Sequence, residues 1–419
     1  MILRSLGAPR RGSDRAAAER QHYWSRRSAT LFHFTPFIMP RHIHILSAVI
    51  AICIVIAAIF GLNRGEKKQP SPDERDTGVR LLEGTIHVEG KEVTLAAIEA
   101  AVKDHEVFRF DEKKDAYYCN ANIEVTGSLL MGDPENAAKK EILEIRTYAC
   151  GDRSIRIRPG GALKVFHSEI ATVLRSFDEK MCARGYTIFN DGRFELEGAT
   201  MSFLSGNFGR TVRGDASARI SKSRFVDTDD NSFFADNVHG SKVKIVDSEF
   251  VSRGNHGFVV IGPGTDPLRL IRCKLRGVAS DIHHGGKDAD VVLQDCDFRK
   301  DKISFNQLNG EIVIKWSVEF SVKDKKGAPQ SNALVTAASH EDCGKPETVS
   351  GRTGSDGKVT LILTEFVASP FNPSRLDVVN NSTPHELQVS IDKQSWKAGT
   401  VEAAKTFSKQ LVVERKGRR

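Results

Sequence analysis

No C-x-x-C pair occurs in this chain of 419 residues, although it holds seven Cys. That absence removes the usual sequence sign of a structural zinc or a dithiol redox site. Helical periodicity is also missing between residues 155 and 324, where β-branched and aromatic runs are cut by Gly, Asn and Asp. A helical-repeat protein is thereby excluded. Nor does the net charge of +7 amount to a nucleic-acid signature. Residues 1–44 carry eight Arg, no Lys, one Asp and one Glu, a net of +6, which leaves the rest near +1. So balanced a remainder predicts no basic binding face and no nucleic-acid partner.

Charge is absent altogether from residues 45–62, "ILSAVIAICIVIAAIFGL". As a helix, 18 such residues reach about 27 Å, enough for a hydrocarbon core. Arginines dominate the preceding side, so the positive-inside bias puts the N-terminus in the cytoplasm and the bulk of the chain outside. No clear A-x-A cleavage site follows and Ile52 precedes Cys53, so the reading is an uncleaved single-pass anchor rather than a signal peptide. Translation from Met39 would still yield a complete anchor, and both starts stay open. Residues 63–78 are charged and contain Pro, as a linker does. Six Cys lie beyond the anchor; export would permit disulfides, whose pairing spacing does not fix.

What is there is a repeat. Leu196, Ile220, Ile245, Leu270, Leu293 and Ile314 recur at separations of 24, 25, 25, 23 and 21. Three residues on stand Ala199, Ser223, Ser248, Cys273, Cys296 and Ser317; five on stand Met201, Phe225, Phe250, Leu275 and Phe298. The first position shares a strand face with the residue two before it, but an odd step separates it from the later pair. One continuous strand cannot bury both sets. A corner between them can, at the first and second residues after the origin. A third strand follows, in "SFFADN", "GFVVIG", "DIHHGG" and "SFNQLN", which aligns Phe233, Phe258, Ile282 and Phe305. Three short strands per 20 to 25 residues predict a mainly β solenoid whose coils pair at about 4.8 Å. Like residues then stack, and Cys273 and Cys296 fall in a buried thiol ladder. A β-sandwich of the same strands is the structural rival.

These "I-x-x-S/C-x-F" segments with their "G-F/I" strands resemble right-handed parallel β-helix proteins of the pectin-lyase-like kind, over residues 120–315. Residues 79–119, with a helix expected over "VTLAAIEAAV" (Val93 to Val102), are read as the N-terminal cap. From residue 316 the period stops. Asp324, Gly327, Pro329, Asn332, Ala333, Val335, Thr353, Asp356 and Gly357 resemble the carboxypeptidase-regulatory-like (transthyretin-like) β-sandwich, which implies a non-catalytic accessory module over residues 316–415.

Candidate chemistry clusters around the third strand. "TDDNSF" and "NHGFVVIG" resemble the D-D and G-H-G segments of polygalacturonase-type glycoside hydrolases. The resemblance implies Asp230 as acid, Asp229 as water-activating base and His256 as tuner of the acid, in an inverting mechanism. The preceding coil supplies no acid near Asn207, no R-I-K follows "NHG", and Asn231 stands where the family has Cys. Turn chemistry explains the same Asp and Asn residues. Asn231, Asp281, His283 and Asn306 are candidate ligand-binding positions. His283 and His284 alternate on a strand and would not share one metal ion; no metal or other cofactor is expected. Lys287 and Lys302 are candidate lyase bases. Arg153, Arg156 and Arg158 could meet an acidic glycan or simply face solvent. The sequence therefore supports a membrane-anchored, extracytoplasmic binding or scaffold module for cell-envelope polysaccharide. A glycoside hydrolase or polysaccharide lyase, and a purely structural envelope protein, are the alternatives.

Overall fold

The computed structural model describes residues 78–147, 153–174, 185–202, 211–228, 231–261, 266–286, 290–306, 310–370 and 381–414. The basic segment 1–44, the apolar run 45–62, Asp229, Asp230, Cys150, Cys182 and Lys287 lie outside them. Among the described residues no helix is long and apolar enough to cross a membrane. All of them belong to one compact unit within residues 70–419.

Each coil visits three faces in turn. Strand Val243–Val246 belongs to a first sheet, Glu249–Ser252 to a second and His256–Ile261 to a third. Each pairs in parallel with its counterpart one coil away, for example Ile245↔Leu270, Phe250↔Leu275 and Phe258↔Ile282. The first and second sheets run to 11 and 8 strands, while the third face comprises two five-stranded sheets. The protein is thus mainly β with largely parallel sheets, an arrangement compatible with a β-helix-like fold.

The corner between first and second sheets is where the parity argument puts it. The second residue after the origin has positive φ in six successive coils, counting an earlier one whose origin is Val165, opposite Leu196: His167 52°, Gly198 61°, Lys222 49°, Asp247 52°, Arg272 51° and Asp295 54°. A left-handed residue reverses the chain sharply, at a steric cost that non-glycine residues accept only when the surroundings enforce it. Enforcement comes from the small residue that follows. The Ser223 hydroxyl donates to the Ser221 carbonyl at 2.7 Å and accepts the Ala199 N–H from the neighbouring coil at 3.1 Å. Ser248 repeats both bonds, to the Val246 carbonyl and from the Ser223 N–H. Cys296 does the same with sulfur, accepting the Cys273 N–H at 3.4 Å. Both thiols are free and buried. The Ser/Cys column therefore satisfies backbone groups that the corner would otherwise bury unpaired.

Apolar columns fill the interior. Phe225 stacks on Phe250 at 5.1 Å, Phe233 on Phe258 at 4.9 Å, and the two pairs meet edge to face at 5.2–5.5 Å. Helix α1 (Leu95–Val102) buries Leu95, Ile98 and Val102 against the first coils. It begins two residues later than the apolar pattern, because Val93–Thr94 pairs as a strand and the Thr94 hydroxyl caps the helix, accepting the Ala97 N–H at 3.3 Å.

One register expectation fails. Ile303, not Phe305, lies opposite Ile282, and Phe305 pairs with His284. The 3-10 turn Lys300–Lys302 shortens the arc of this coil. The strand begins earlier, so the matching "S-F" letters slip by two positions.

Strand Ile312–Asp324 passes unbroken from the coils into a terminal pair of sheets. Its Ile312 and Ile314 close the coil core, while Val318, Phe320 and Val322 enter a second apolar cluster with Val335, Leu363, Val389 and Leu411. The second layer is an antiparallel sheet of Leu334–Ser339, Thr348–Arg352, His385–Ile391 and Gln394–Val401. Thr353 ties the layer to its preceding turn, accepting the Ala333 N–H and donating to the Gln330 carbonyl at 2.6 Å. Gly357 takes φ 73° in the expected D-G turn.

Candidate functional site

The third face carries most of the candidate residues. The pleat sends Phe233, Phe258 and Ile282 inward and leaves His283 half-buried on the other side. His256 stands at the start of its strand, opposite Ser280, and shares a 2.7 Å hydrogen bond through Nδ1 with the Ser280 hydroxyl. One coil further, His283 Nδ1 shares a 2.9 Å bond with the Ser304 hydroxyl. The two imidazoles stack at 4.5 Å with 16° between planes.

Burial, with His283 alongside, pushes the His256 imidazole down to about 4. Burial, then His284, lowers His283 as well. Both rings are therefore neutral at physiological pH. A neutral imidazole has one donor and one acceptor nitrogen; with Nδ1 of each shared with a serine, the second nitrogen carries no charge and suits a hydroxyl-bearing ligand rather than an anion.

Asp281 is placed differently. Its carboxylate is fully buried and accepts the Arg299 N–H at 2.7 Å, Arg299 Nη2 at 2.6 Å and the Gly277 N–H at 3.0 Å. Arg276 Nη1 lies 3.8 Å away. With its oxygens so occupied, Asp281 fastens two turns together. Asn231 is buried beside Ser232, whose N–H donates to the His256 carbonyl at 3.1 Å. Asn306 is exposed, and its N–H donates to the His284 carbonyl. His284 points inward, fully buried against Phe305. Lys302 donates to the Val278 carbonyl at 3.2 Å. The structure brings His256 and His283 together and commits Asp281 to arginine.

Arg299 was not singled out in the sequence. A signal existed: Arg276 and Arg299 occupy the same repeat position in successive coils, one residue after Leu275 and Phe298. Among the described residues, no group of three or more His, Cys, Asp or Glu is placed to hold a metal ion.

Comparison with known proteins finds no matching family model, no matching curated protein and no matching solved structure.

A second polar cluster lies where the terminal sheets meet the coils. Glu347 accepts from the Thr364 hydroxyl at 2.8 Å, meets His385 Nε2 at 3.1 Å and Lys315 at 3.3 Å. Burial pushes its carboxyl up, but His385, Thr364 and Lys315 outweigh that and bring it down to about 2. Nearby, a β-bulge turns Glu365 inward, where Trp316 Nε1 donates at 2.8 Å and Lys300 pairs with it. These acids are satisfied by the protein itself.

Proposed function

We propose that the chain is a right-handed parallel β-helix protein of the pectin-lyase-like kind, closed by a carboxypeptidase-regulatory-like sandwich. An N-terminal helix anchors it, and the bulk lies outside the cytoplasm, where it binds polysaccharide. The observation carrying this reading is the neutral imidazole and hydroxyl column of His256, Ser280, His283 and Ser304 beside a carboxylate already spent on Arg299. Ser280 is buried and orients His256, so what such a face offers to sugar hydroxyls is the second ring nitrogen of the half-buried His256 and His283, with Ser304 beside them. The test is binding of the full chain to a panel of neutral and acidic glycans. At least one glycan is expected to bind, and His256→Ala with His283→Ala to weaken it about tenfold, the worth of one or two hydrogen bonds. No binding across the panel overturns the reading and favours a purely structural envelope protein.

A hydrolase reading keeps one support: His256 is held neutral one coil after the "TDDN" segment, as a partner of a catalytic acid needs to be. It predicts new reducing ends from polyuronides, lost in Asp230→Asn.

A further inference from the structure

The first sheet's outer face carries a column that the charge balance of the chain concealed. Arg219 lies opposite Lys244, and Lys244 opposite Arg269, on three successive coils, all exposed. Among the described residues none of the three forms an ion pair. Glu195 borders the column on one side but is engaged by Arg193 at 2.5 Å, and Val292 borders it on the other. Like charges directly opposite one another destabilise a sheet.

The second sheet of the same coils shows how this chain avoids that penalty. There Glu249 sits between Arg224 and Lys274 and bonds both, at 2.9 and 2.7 Å. At the corner, Arg272 pairs with Asp247 at 2.6 Å. One face alternates in sign and the other does not. Two surface hollows flank the unalternated column. One, of about 270 Å³, is lined by Phe166, Glu195, Glu197, Arg219, Ser221 and Lys244; the other, of about 450 Å³, by Arg193, Ser217, Arg219, Ser241, Lys242 and Lys244.

Building on the polysaccharide reading above, we propose that this face binds a linear anionic glycan laid along the stack, its oxyanions meeting Arg219, Lys244 and Arg269 in turn. A cation every rung, at about 4.8 Å, matches a repeating charge rather than a single ion. Arginine's fork grips carboxylate, sulfate or phosphate groups in two-point fashion. The adjacent outward column is Phe166, Glu197, Ser221, Val246 and Ile271; its one aromatic ring, set beside a carboxylate, is not the run of successive platforms on which single-stranded nucleic acid stacks.

The full chain is titrated with a polyuronate, a sulfated glycan, a phosphate-bearing glycan, a neutral glucan and a single-stranded DNA. One anionic glycan is expected to bind most tightly, with affinity falling as salt rises. Lys244→Glu converts the column to the alternating pattern of the second sheet. It is expected to raise Tm while weakening that glycan about tenfold or more. Arg219→Gln with Arg269→Gln should weaken binding about fivefold, whereas Arg224→Gln with Lys274→Gln, the same change in charge, should stay within about twofold. Equal losses in both pairs, or unaltered binding by Lys244→Glu, would sink the column while leaving the polysaccharide reading intact. Silence toward every polymer overturns both, and preference for DNA overturns the glycan assignment.

Discussion

Inside the coil stack, the partner of a side chain is the same position of the repeat one coil away. Inside the terminal pair of sheets, the partner is an unrelated residue from a distant stretch. Phe225 meets Phe250, and Ser223 meets Ser248, because parallel in-register pairing copies a choice from rung to rung. Val318, by contrast, lies between Leu361 and Phe407, 43 and 89 residues away. The polar cores differ accordingly. The stack hides hydroxyls and thiols that repeat, with Asp281 a singular buried acid among them, whereas the terminal region relies on single acids, the part-buried Glu347 and the buried Glu365, each with its own set of partners. A repeated solution shares its work over many coils; a single one concentrates it.

Phe250→Ala tests the shared interior most severely. It removes a ring packed against Phe225, Phe233 and Phe258 and should cost about 3–5 kcal/mol in denaturant unfolding. A loss under 1 kcal/mol would show that neighbouring coils collapse into the gap. Asp281→Asn comes next, since Arg299 loses its buried counter-charge; with Arg299 partly exposed, about 2–3 kcal/mol is expected.

The two regions should also part in their response to acid. Glu347 is held at about 2 in the fold, below its ordinary 4.5. Its contribution is full above pH 4.5 and is lost as pH falls toward 2. His256 is held at about 4, below its ordinary 6.5. The unfolded chain therefore binds the proton first, and stability falls between pH 6.5 and 4. Discounted for exposure, that loss is about 1–2 kcal/mol. His256→Gln should flatten the upper window only, and Glu347→Gln the lower only, in stability measured across pH. Cys273→Ser should have the smallest effect, under about 1 kcal/mol, because Ser223 and Ser248 make the same corner bond from the same repeat position. A larger loss would show that sulfur's volume, not the hydrogen bond, sets that column.

Much of the stack was legible because its logic is periodic. The corner, the Ser/Cys column and the Phe column follow from parity and spacing alone. The last coil was misread by two positions because letter matching ignores arc length, which the turn at Lys300–Lys302 shortens. Of the candidate site, the closeness of His256 and His283 could not be read from the repeat, since His256 lies opposite Ser280 and His283 opposite Val259. Nor could the fate of Asp281, since Arg299 reaches it from a turn on another coil. The expectation that the balanced remainder of the chain would show no basic face also needs correction. A net charge near +1 sums over all faces, and the column Arg219, Lys244 and Arg269 is local to one.

By itself the sequence determined the period, the place of the bend and which side chains face inward, because these depend on alternation along the chain. Only the tertiary structure decided which acids are already paired and which cations stand unopposed. Those depend on distances between coils, which fall off too steeply for spacing in sequence to reveal.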